Sequence, residues 1–338
     1  MVAERILVIG GGVAGMAAAV AAGQLGCEVI LVEREPRLGG QAIAYACKAT
    51  DRCLHCGVCL VSDLREELAA SAATVRTGTT LQALEGRPGA FRVELSDGVL
   101  EAEAIIVASG MTPAPAAEWP DLGYGRLPGV LTGTDLEQAV RRGEPPTGGQ
   151  LAFVQCVGSR CPARGRDYCS EVCCPYALRL ALGLLVDRPD LKISIFYNDL
   201  QTAGRITHNL YEQAREKIRL VQGIPARVGQ ADGRLTLVYD DVRQAAVSRE
   251  AFDGVVLSVG IWPRPDAPAL ARALGINLDA AGFFAGQPGA NWLSSRPGVF
   301  LAGCCQKPRT LADSIAHGRA AATAAAAGAA ARWEVKVG

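Results

Sequence analysis

The sequence carries no excess of either charge: 34 Lys and Arg balance 34 Asp and Glu. That removes the electrostatic footprint expected of a protein that binds nucleic acid or an anionic membrane. At zero net charge solubility is marginal, which favours life inside an assembly. No apolar run reaches the roughly 18 residues of a membrane span. The longest candidate, residues 319–331, is Ala-rich and broken by Thr323 and Gly328, and Ala in such density predicts a helix. No signal peptide precedes the first apolar strand, so a reducing, cytoplasmic setting is expected. Ser109 and Ser159 lack the His and acid context of a nucleophile, which disfavours hydrolase chemistry. No low-complexity tract stands out apart from the Ala-rich tail.

What is present is a globular composition, 49% hydrophobic and 20% charged, in 338 residues, enough for roughly two domains of about 150 residues. Twelve cysteines and 39 glycines are the unusual counts. In a reducing compartment, clustered cysteines read as metal ligands or redox thiols rather than disulfides. The glycines begin at once: an apolar run at residues 5–9 leads into Gly10-Gly11-Gly12-Val13-Ala14-Gly15 and an Ala-rich segment suited to a helix. In such a strand, turn and helix, Gly10 permits the tight turn, Gly12 lets the backbone approach a pyrophosphate, and Gly15 lets helix and strand pack closely. A second strand from Glu28 to Val32 ends at Glu33, whose carboxylate is placed for ribose hydroxyls.

Beyond Glu33, the run Arg34-Glu35-Pro36-Arg37-Leu38-Gly39-Gly40-Gln41 resembles the ExxxxxGG extension of two-dinucleotide-domain flavoproteins. The resemblance implies FAD, with backbone at these residues wrapping its adenosine and pyrophosphate. Two further pieces are similar to that family: the strand and turn at residues 104–110, with Ala108 and Gly110 at the turn, and the closing strand at residues 298–303, ending at Gly303. A helix after it carries Ser314, Ile315, Ala316 and His317 toward the flavin. Where the family has an Asp that binds a ribityl hydroxyl, this chain has Cys304. Both ends of the chain thus build one FAD domain, expected over residues 1–112 and 254–338, with residues 113–253 inserted. The insertion lacks a second glycine fingerprint, so NAD(P)H is not expected. Its equivalent strand, residues 150–155, runs into Cys156-Val157-Gly158-Ser159-Arg160.

There the cysteines concentrate: Cys156, Cys161, Cys169, Cys173 and Cys174. If a helix starts near Cys169, that thiol and Cys173 share its first face. Spacing alone leaves an iron-sulfur cluster, a zinc site or redox thiols open. The pattern CVGSR followed by YCSxVCC and a helix, with Tyr197-Asn198-Asp199-Leu200-Gln201-Thr202 and Gly303-Cys304-Cys305-Gln306-Lys307-Pro308, resembles the A-type subunits of heterodisulfide reductases along most of the chain.

The resemblance implies a thioredoxin reductase-like α/β fold: a Rossmann-type FAD domain with an inserted second α/β nucleotide-binding-like domain that holds a [4Fe-4S] cluster. Its ligands carry over as Cys156, Cys169, Cys173 and Cys174, with Cys161 a substitute. The short form, without ferredoxin-type modules, is similar to the A-type component of the sulfur-oxidising heterodisulfide reductase-like system. That implies an oxidoreductase for sulfur compounds, a homodimer, partner subunits of B and C type, and a lipoate-carrying protein as substrate of the complex. A third group, Cys53, Cys56 and Cys59 with Cys47 upstream, is a cluster-motif fragment, redox thiols or structural. His55 and His208 read as surface residues, and Cys304 and Cys305 as small core residues beside the flavin helix. Two rival readings are a stand-alone NAD(P)H-dependent disulfide reductase, which needs a second fingerprint and a CxxC in the insertion, and a zinc-stabilised FAD-binding scaffold.

Overall fold

The computed structural model describes residues 4–45, 47 and 53–330. The chain divides into two units: unit 1 is Met1–Ile43, Gly57–Thr112 and Pro263–Gly338, and unit 2 is Ala44–Cys56 and Pro113–Trp262. The segments Ala44–Cys56 and 254–262, read from sequence as parts of the FAD domain, fall in unit 2.

Unit 1 begins with β1 (Arg5–Ile9), α1 (Val13–Gln24) and β2 (Glu28–Glu33), followed by α2 (Val58–Ala69) and β3 (Thr74–Thr77). A meander of β4 (Leu81–Arg87), β5 (Ala90–Leu95) and β6 (Gly98–Ala102) leads to β7 (Ala104–Val107) and the two-residue β8 (Thr112–Pro113). After unit 2 the chain returns with α6 (Ala267–Leu274), β18 (Val299–Leu301) and α7 (Leu311–Ala330). The main sheet is parallel throughout, in the order β18-β7-β1-β2-β3. β1, β2, β7 and β18 are near-continuous apolar runs because both faces are covered, whereas the edge strand β3 is mostly exposed. One face packs on the antiparallel meander and α6, where Leu7, Ile105, Phe91, Val93 and Leu274 meet. On the helix side, α1 and α7 pack through small residues: a Cβ on Gly318 would lie 2.2 Å from the Ala14 carbonyl oxygen. Sequential strands leave β1 in opposite directions across the sheet, so the crevice beyond its carboxyl end is a topological switch point, where such sheets bind ligands.

Unit 2 repeats the plan. It contains β9 (Val130–Thr132), α3 (Gly133–Arg141), β10 (Gln150–Val157), α4 (Cys173–Asp187), β11 (Lys192–Tyr197), α5 (Arg205–Lys217) and β12 (Arg219–Gln222). A meander of β13 (Pro225–Ala231), β14 (Arg234–Asp241) and β15 (Ala246–Phe252) precedes β16 (Gly254–Val259) and the short β17 (Ile261–Trp262). The parallel order is β12-β11-β10-β16-β9. Phe153, Leu178, Leu182 and Leu210 form the core under the helices, and Leu54 from the 44–56 segment joins them. Val154, Phe196, Leu237 and Phe252 form the core under the meander. α3 starts sharply because Thr132 caps it in a reciprocal box: its Oγ1 accepts from Asp135 N–H at 3.1 Å, and Asp135 Oδ2 accepts from Thr132 N–H at 2.8 Å. Among the described residues, no helix is long and apolar enough to cross a membrane.

Candidate functional site

In unit 1 the sequence-predicted residues meet at the carboxyl end of the main sheet. Gly10 has φ +110°, and a Cβ there would sit 2.4 Å from the Ala108 carbonyl oxygen. A Cβ on Gly15 would sit 1.8 Å from the Gly10 carbonyl oxygen, so helix α1 can rise from this turn only without a side chain at that position. The ExxxxxGG segment doubles back: Gly39 N–H donates to Gly11 O at 2.8 Å, and a Cβ on Gly40 would lie 3.1 Å from Gly12 Cα. Gly40 and Gln41 open a 3-10 turn, Gly40–Ala44, with Gln41 exposed. Glu33 folds over the turn, Oε2 accepting from Gly11 N–H at 2.6 Å and Oε1 from Glu35 N–H at 2.8 Å. Arg34 reaches Asp266 at 2.9 Å.

Two features of this crevice suit an anionic dinucleotide. The Gly12 cap of α1 supplies no side-chain acceptor and the first turn holds no acid, so its backbone N–H groups lack a local anion. Gly12 and Gly110 also leave free volume: a Cβ on Gly110 would meet nothing within 4 Å, and one on Gly12 nothing closer than Gly40 Cα at 4.0 Å. An FAD pyrophosphate fits this donor set.

The closing strand and α7 complete the crevice wall. Gly303 (φ +72°) packs on Ala14, to which a Cβ would come within 2.6 Å. Cys304 Sγ lies 3.5 Å from Arg309 O and 3.6 Å from Ser314 Oγ. Ser314 and Ile315 are buried and Ala316 is exposed. Cys305 is fully buried and donates to Val107 O at 3.1 Å; burial pushes its thiol up to about 12. His317 turns inward: its Nδ1 accepts from Gly303 N–H at 2.9 Å, which leaves Nε2–H to donate to Asn291 Oδ1 at 2.9 Å. Burial, then the nearby cations Arg309 and Lys307, lower its pKa to about 4, so the ring is neutral. Asn291 escaped the sequence reading because nothing local marks it.

In unit 2 the turn after β10 carries cysteines where unit 1 carries glycines. The strand's register shifts between Val154 and Val157, and Cys156 takes φ +63°. Gly158 follows at φ +83°, where a Cβ would clash with Ala114 Cβ at 2.3 Å. Trp262 Nε1–H donates to Gly158 O at 2.6 Å, and buried Ser170 Oγ accepts from Ile261 N–H at 2.8 Å, pinning the turn from two sides. The helix expected near Cys169 begins at Cys173, so Cys169 reaches in from the preceding loop rather than from a shared helical face. The break comes at Glu171, whose φ of +62° is not helical.

The thiols of Cys156, Cys173 and Cys174 are all pushed up, chiefly by burial. Burial, then the neighbouring Cys174, lifts the Cys156 thiol to about 11, against the pull of Arg160. Burial, then Cys156, Cys174 and Cys169, raises that of Cys173. Cys174 is raised chiefly by burial as well. Cys173 Sγ lies 3.6 Å from Val259 O, and Cys174 Sγ 3.9 Å from Asp199 O. Cys161 instead closes the adjoining 3-10 turn, its N–H donating to Arg166 O at 2.6 Å. Both amide atoms of buried Gln155 on this stretch have no hydrogen-bond partner. Buried orphans of this kind are rare and mark a missing ligand or a strained group. Gln155 is a polar residue inside an apolar strand, a signal the sequence reading passed over. Among the described residues no group of three or more His, Cys, Asp or Glu side chains is placed to hold a metal ion.

Of the third group, Cys53 and Cys56 belong to unit 2 and Cys59 to α2 of unit 1. Cys47, Cys53 and Cys59 are exposed and Cys56 is buried. His55 and His208 are exposed.

A parallel sheet with a glycine turn leading into a helix and an acid at the end of its second strand is the arrangement of a dinucleotide-binding domain, and residues 5–108 match the family described as FAD dependent oxidoreductase. The fold resembles that of Lactococcus lactis thioredoxin reductase, with a TM-score of 0.65 at 20% identity over 97% of this chain and 99% of that one. By sequence the chain is similar to A-type subunits of heterodisulfide reductases. It is 29% identical to the second A-type iron-sulfur subunit of CoB–CoM heterodisulfide reductase from Methanopyrus kandleri, covering 96% of this chain and 64% of the relative. It is 30% identical to the A-type iron-sulfur subunit of the same enzyme from Methanocaldococcus jannaschii, covering 81% and 41%. The chain therefore spans less than two thirds of the relatives it matches.

Proposed function

We propose that this chain is the FAD- and [4Fe-4S]-containing electron-transfer subunit of a heterodisulfide reductase-like complex, working in dissimilatory sulfur oxidation. The observation that carries the reading is that Cys156, Cys169, Cys173 and Cys174 all lie between the end of β10 and the start of α4, where a second glycine fingerprint would otherwise stand. The unpartnered amide of Gln155 next to Cys156, and the iron-sulfur designation of the relatives, support it. Bound FAD would supply two-electron chemistry convertible to the single-electron steps of a cluster.

The chain's own residues do the holding. Gly10, Gly12, Ala14 and Gly15 place the N-terminus of α1 against the pyrophosphate, and Glu33 and Arg34 face the adenosine ribose. Gly39, Gly40 and Gln41 wrap the dinucleotide, Ala108 and Gly110 leave its path open, and Gly303, Cys304, Ser314, Ile315 and Ala316 close the flavin side. Because His317 is neutral and engaged at both nitrogens, it positions the Gly303 backbone rather than exchanging protons. The sulfur compound is handled on B- and C-type partner subunits, with a lipoate-carrying protein as substrate of the complex, and the chain works as a homodimer in the cytoplasm. Cys53, Cys56 and Cys59 are candidates for a second cluster.

Anaerobic purification followed by iron, acid-labile sulfide, zinc and flavin determination tests the reading. Iron and sulfide near four each per chain, with one FAD, is expected; zinc without iron would sink it.

A further inference from the structure

We propose that Asn291 is a positioning residue for FAD: acting through His317, it holds the turn from Gly303 to Cys304 in the shape that closes the flavin side of the cradle. The inference rests on the FAD reading of unit 1 given above and is independent of the cluster.

The contacts form a chain within unit 1. Gly303 N–H is a donor that no tautomer can change, and it meets His317 Nδ1 at 2.9 Å, so that nitrogen carries its lone pair. The proton of the neutral ring is therefore on Nε2, and Asn291 Oδ1, 2.9 Å away, accepts it. Asn291 is itself fixed by backbone. Its loop bridges Gln287 to Ala290, and a Cβ on Gly286 would lie 2.7 Å from Asn291 O. The next residue, Trp292, accepts through its carbonyl from Leu301 N–H at 2.8 Å, which ties the loop to β18 just before Gly303.

Only the neutral ring fits this chain. An imidazolium carries a proton on Nδ1 as well, which would face Gly303 N–H donor against donor. Gly303 is held at φ +72° against Ala14, so relieving that clash means moving the turn itself. The surrounding charges favour the neutral form. Arg309 Nη2 lies 3.4 Å from His317 Nε2 and donates to Gln306 Oε1 at 2.5 Å, and Lys307 adds a second cation from the same loop. Ala14 of α1 and Gly303, packed against this part of α7, carry no charge, and Asp313 at the start of α7 accepts from Thr310 Oγ1 at 2.6 Å. Burial, then the two cations, set the ring's pKa at about 4. A neutral amide at position 291 accepts from Nε2–H without reversing this balance. A carboxylate there would favour the imidazolium and, with it, the clash at Gly303.

The test is a fluorescence titration of the FAD-depleted full chain with FAD at pH 8 and pH 5.5, for the unaltered protein, N291D and N291D/H317Q. Nitrogen-15 imidazole spectra of the same samples report the ring; the chain has three histidines, and His55 and His208 are exposed. In the unaltered protein the His317 proton should sit on Nε2 at both pH values, with FAD affinity the same within about twofold. In N291D the affinity at pH 8 should be retained, and at pH 5.5, with His317 protonated, it should fall about tenfold. N291D/H317Q, which has no ring to protonate, should lose that pH dependence. A proton on Nδ1 in the unaltered protein overturns the inference, as does a ring that stays neutral in N291D, an N291D affinity that ignores protonation of the ring, or a pH dependence that survives in N291D/H317Q. If N291D fails to fold, N291L decides: it removes the acceptor without adding charge, and an FAD affinity equal to that of the unaltered protein overturns the assignment. Failure of the unaltered protein to bind FAD overturns the FAD reading itself, whereas the imidazole spectra need no flavin.

Discussion

Units 1 and 2 are two versions of one design. Each has a five-stranded parallel sheet with helices on one face and a three-stranded antiparallel meander on the other. They differ at the turn that leaves the carboxyl end of the strand central to each sheet. After β1 the chain enters α1 within four residues, and glycines bring bare backbone N–H groups to the crevice. After β10 it travels from Cys156 to Cys173 before α4 begins, and that loop brings thiols instead. On the reading proposed above, the same scaffold would serve two ligands of opposite character: dipoles and a helix end for an anion, soft sulfur for a metal. Turn chemistry, not topology, would then select the cofactor.

The comparison can be broken first at Gly15. Gly15→Val places a side chain on the Gly10 carbonyl, for which the backbone has no room, and should abolish FAD binding while costing unit 1 more than about 4 kcal/mol. Flavin absorbance and iron content of the purified variant check it, and iron should persist. The mirror experiment, Cys169→Ala, should remove the iron and leave FAD in place; an unchanged cluster spectrum would strike Cys169 from the ligand set.

A smaller effect distinguishes the lock in unit 1. The His317 pKa falls from 6.5 to about 4 on folding, so the unfolded chain binds the proton more readily. The stability this group supports is full above pH 6.5 and is lost as the pH falls toward 4. The loss should amount to about 2–3 kcal/mol at pH 4.5, given about 1.4 kcal/mol per pH unit. Thermal melts at pH 7 and 4.5 should show a larger drop for the unaltered protein than for His317→Gln. The mildest change, Glu33→Gln, removes a charge-assisted acceptor at Gly11 and should weaken FAD binding roughly tenfold by fluorescence titration.

Much of unit 1 is legible in the sequence because its signals are local. The apolar run at β1, the glycine turn, the acid ending β2 and the Ala-rich α1 and α7 each lie within a few consecutive residues. In unit 2 the sequence shows the cysteines but not their geometry. The start of α4 at Cys173 follows the left-handed backbone at Glu171, and the Ser170 hydroxyl before it accepts from Ile261 N–H, far along the chain. Arg160 is visible as part of CVGSR, yet its ion pair with Asp199 at 2.6 Å is not something spacing reveals. The buried pair Glu137 and Arg179 has no local signal in the sequence. In the fold, Arg179 lies 3.7 Å from Glu137, with its guanidinium over the Tyr176 ring at 4.8 Å and the Tyr45 ring at 5.7 Å. Tyr45 and Leu54 reach unit 2 from a segment that reads as a continuation of the dinucleotide wrap.

The packing of α1 on α7 through Ala14 and Gly318 joins helices some 300 residues apart in sequence. During synthesis, β1 and its glycine turn emerge early but must wait for β18 and α7 before the sheet gains its outer strand and α1 its partner. Unit 2 is complete at Trp262, before either has been made. Since domains tend to fold as units once their residues are available, the cysteine-bearing half can mature first, and the dinucleotide cradle closes only once α7 has been made.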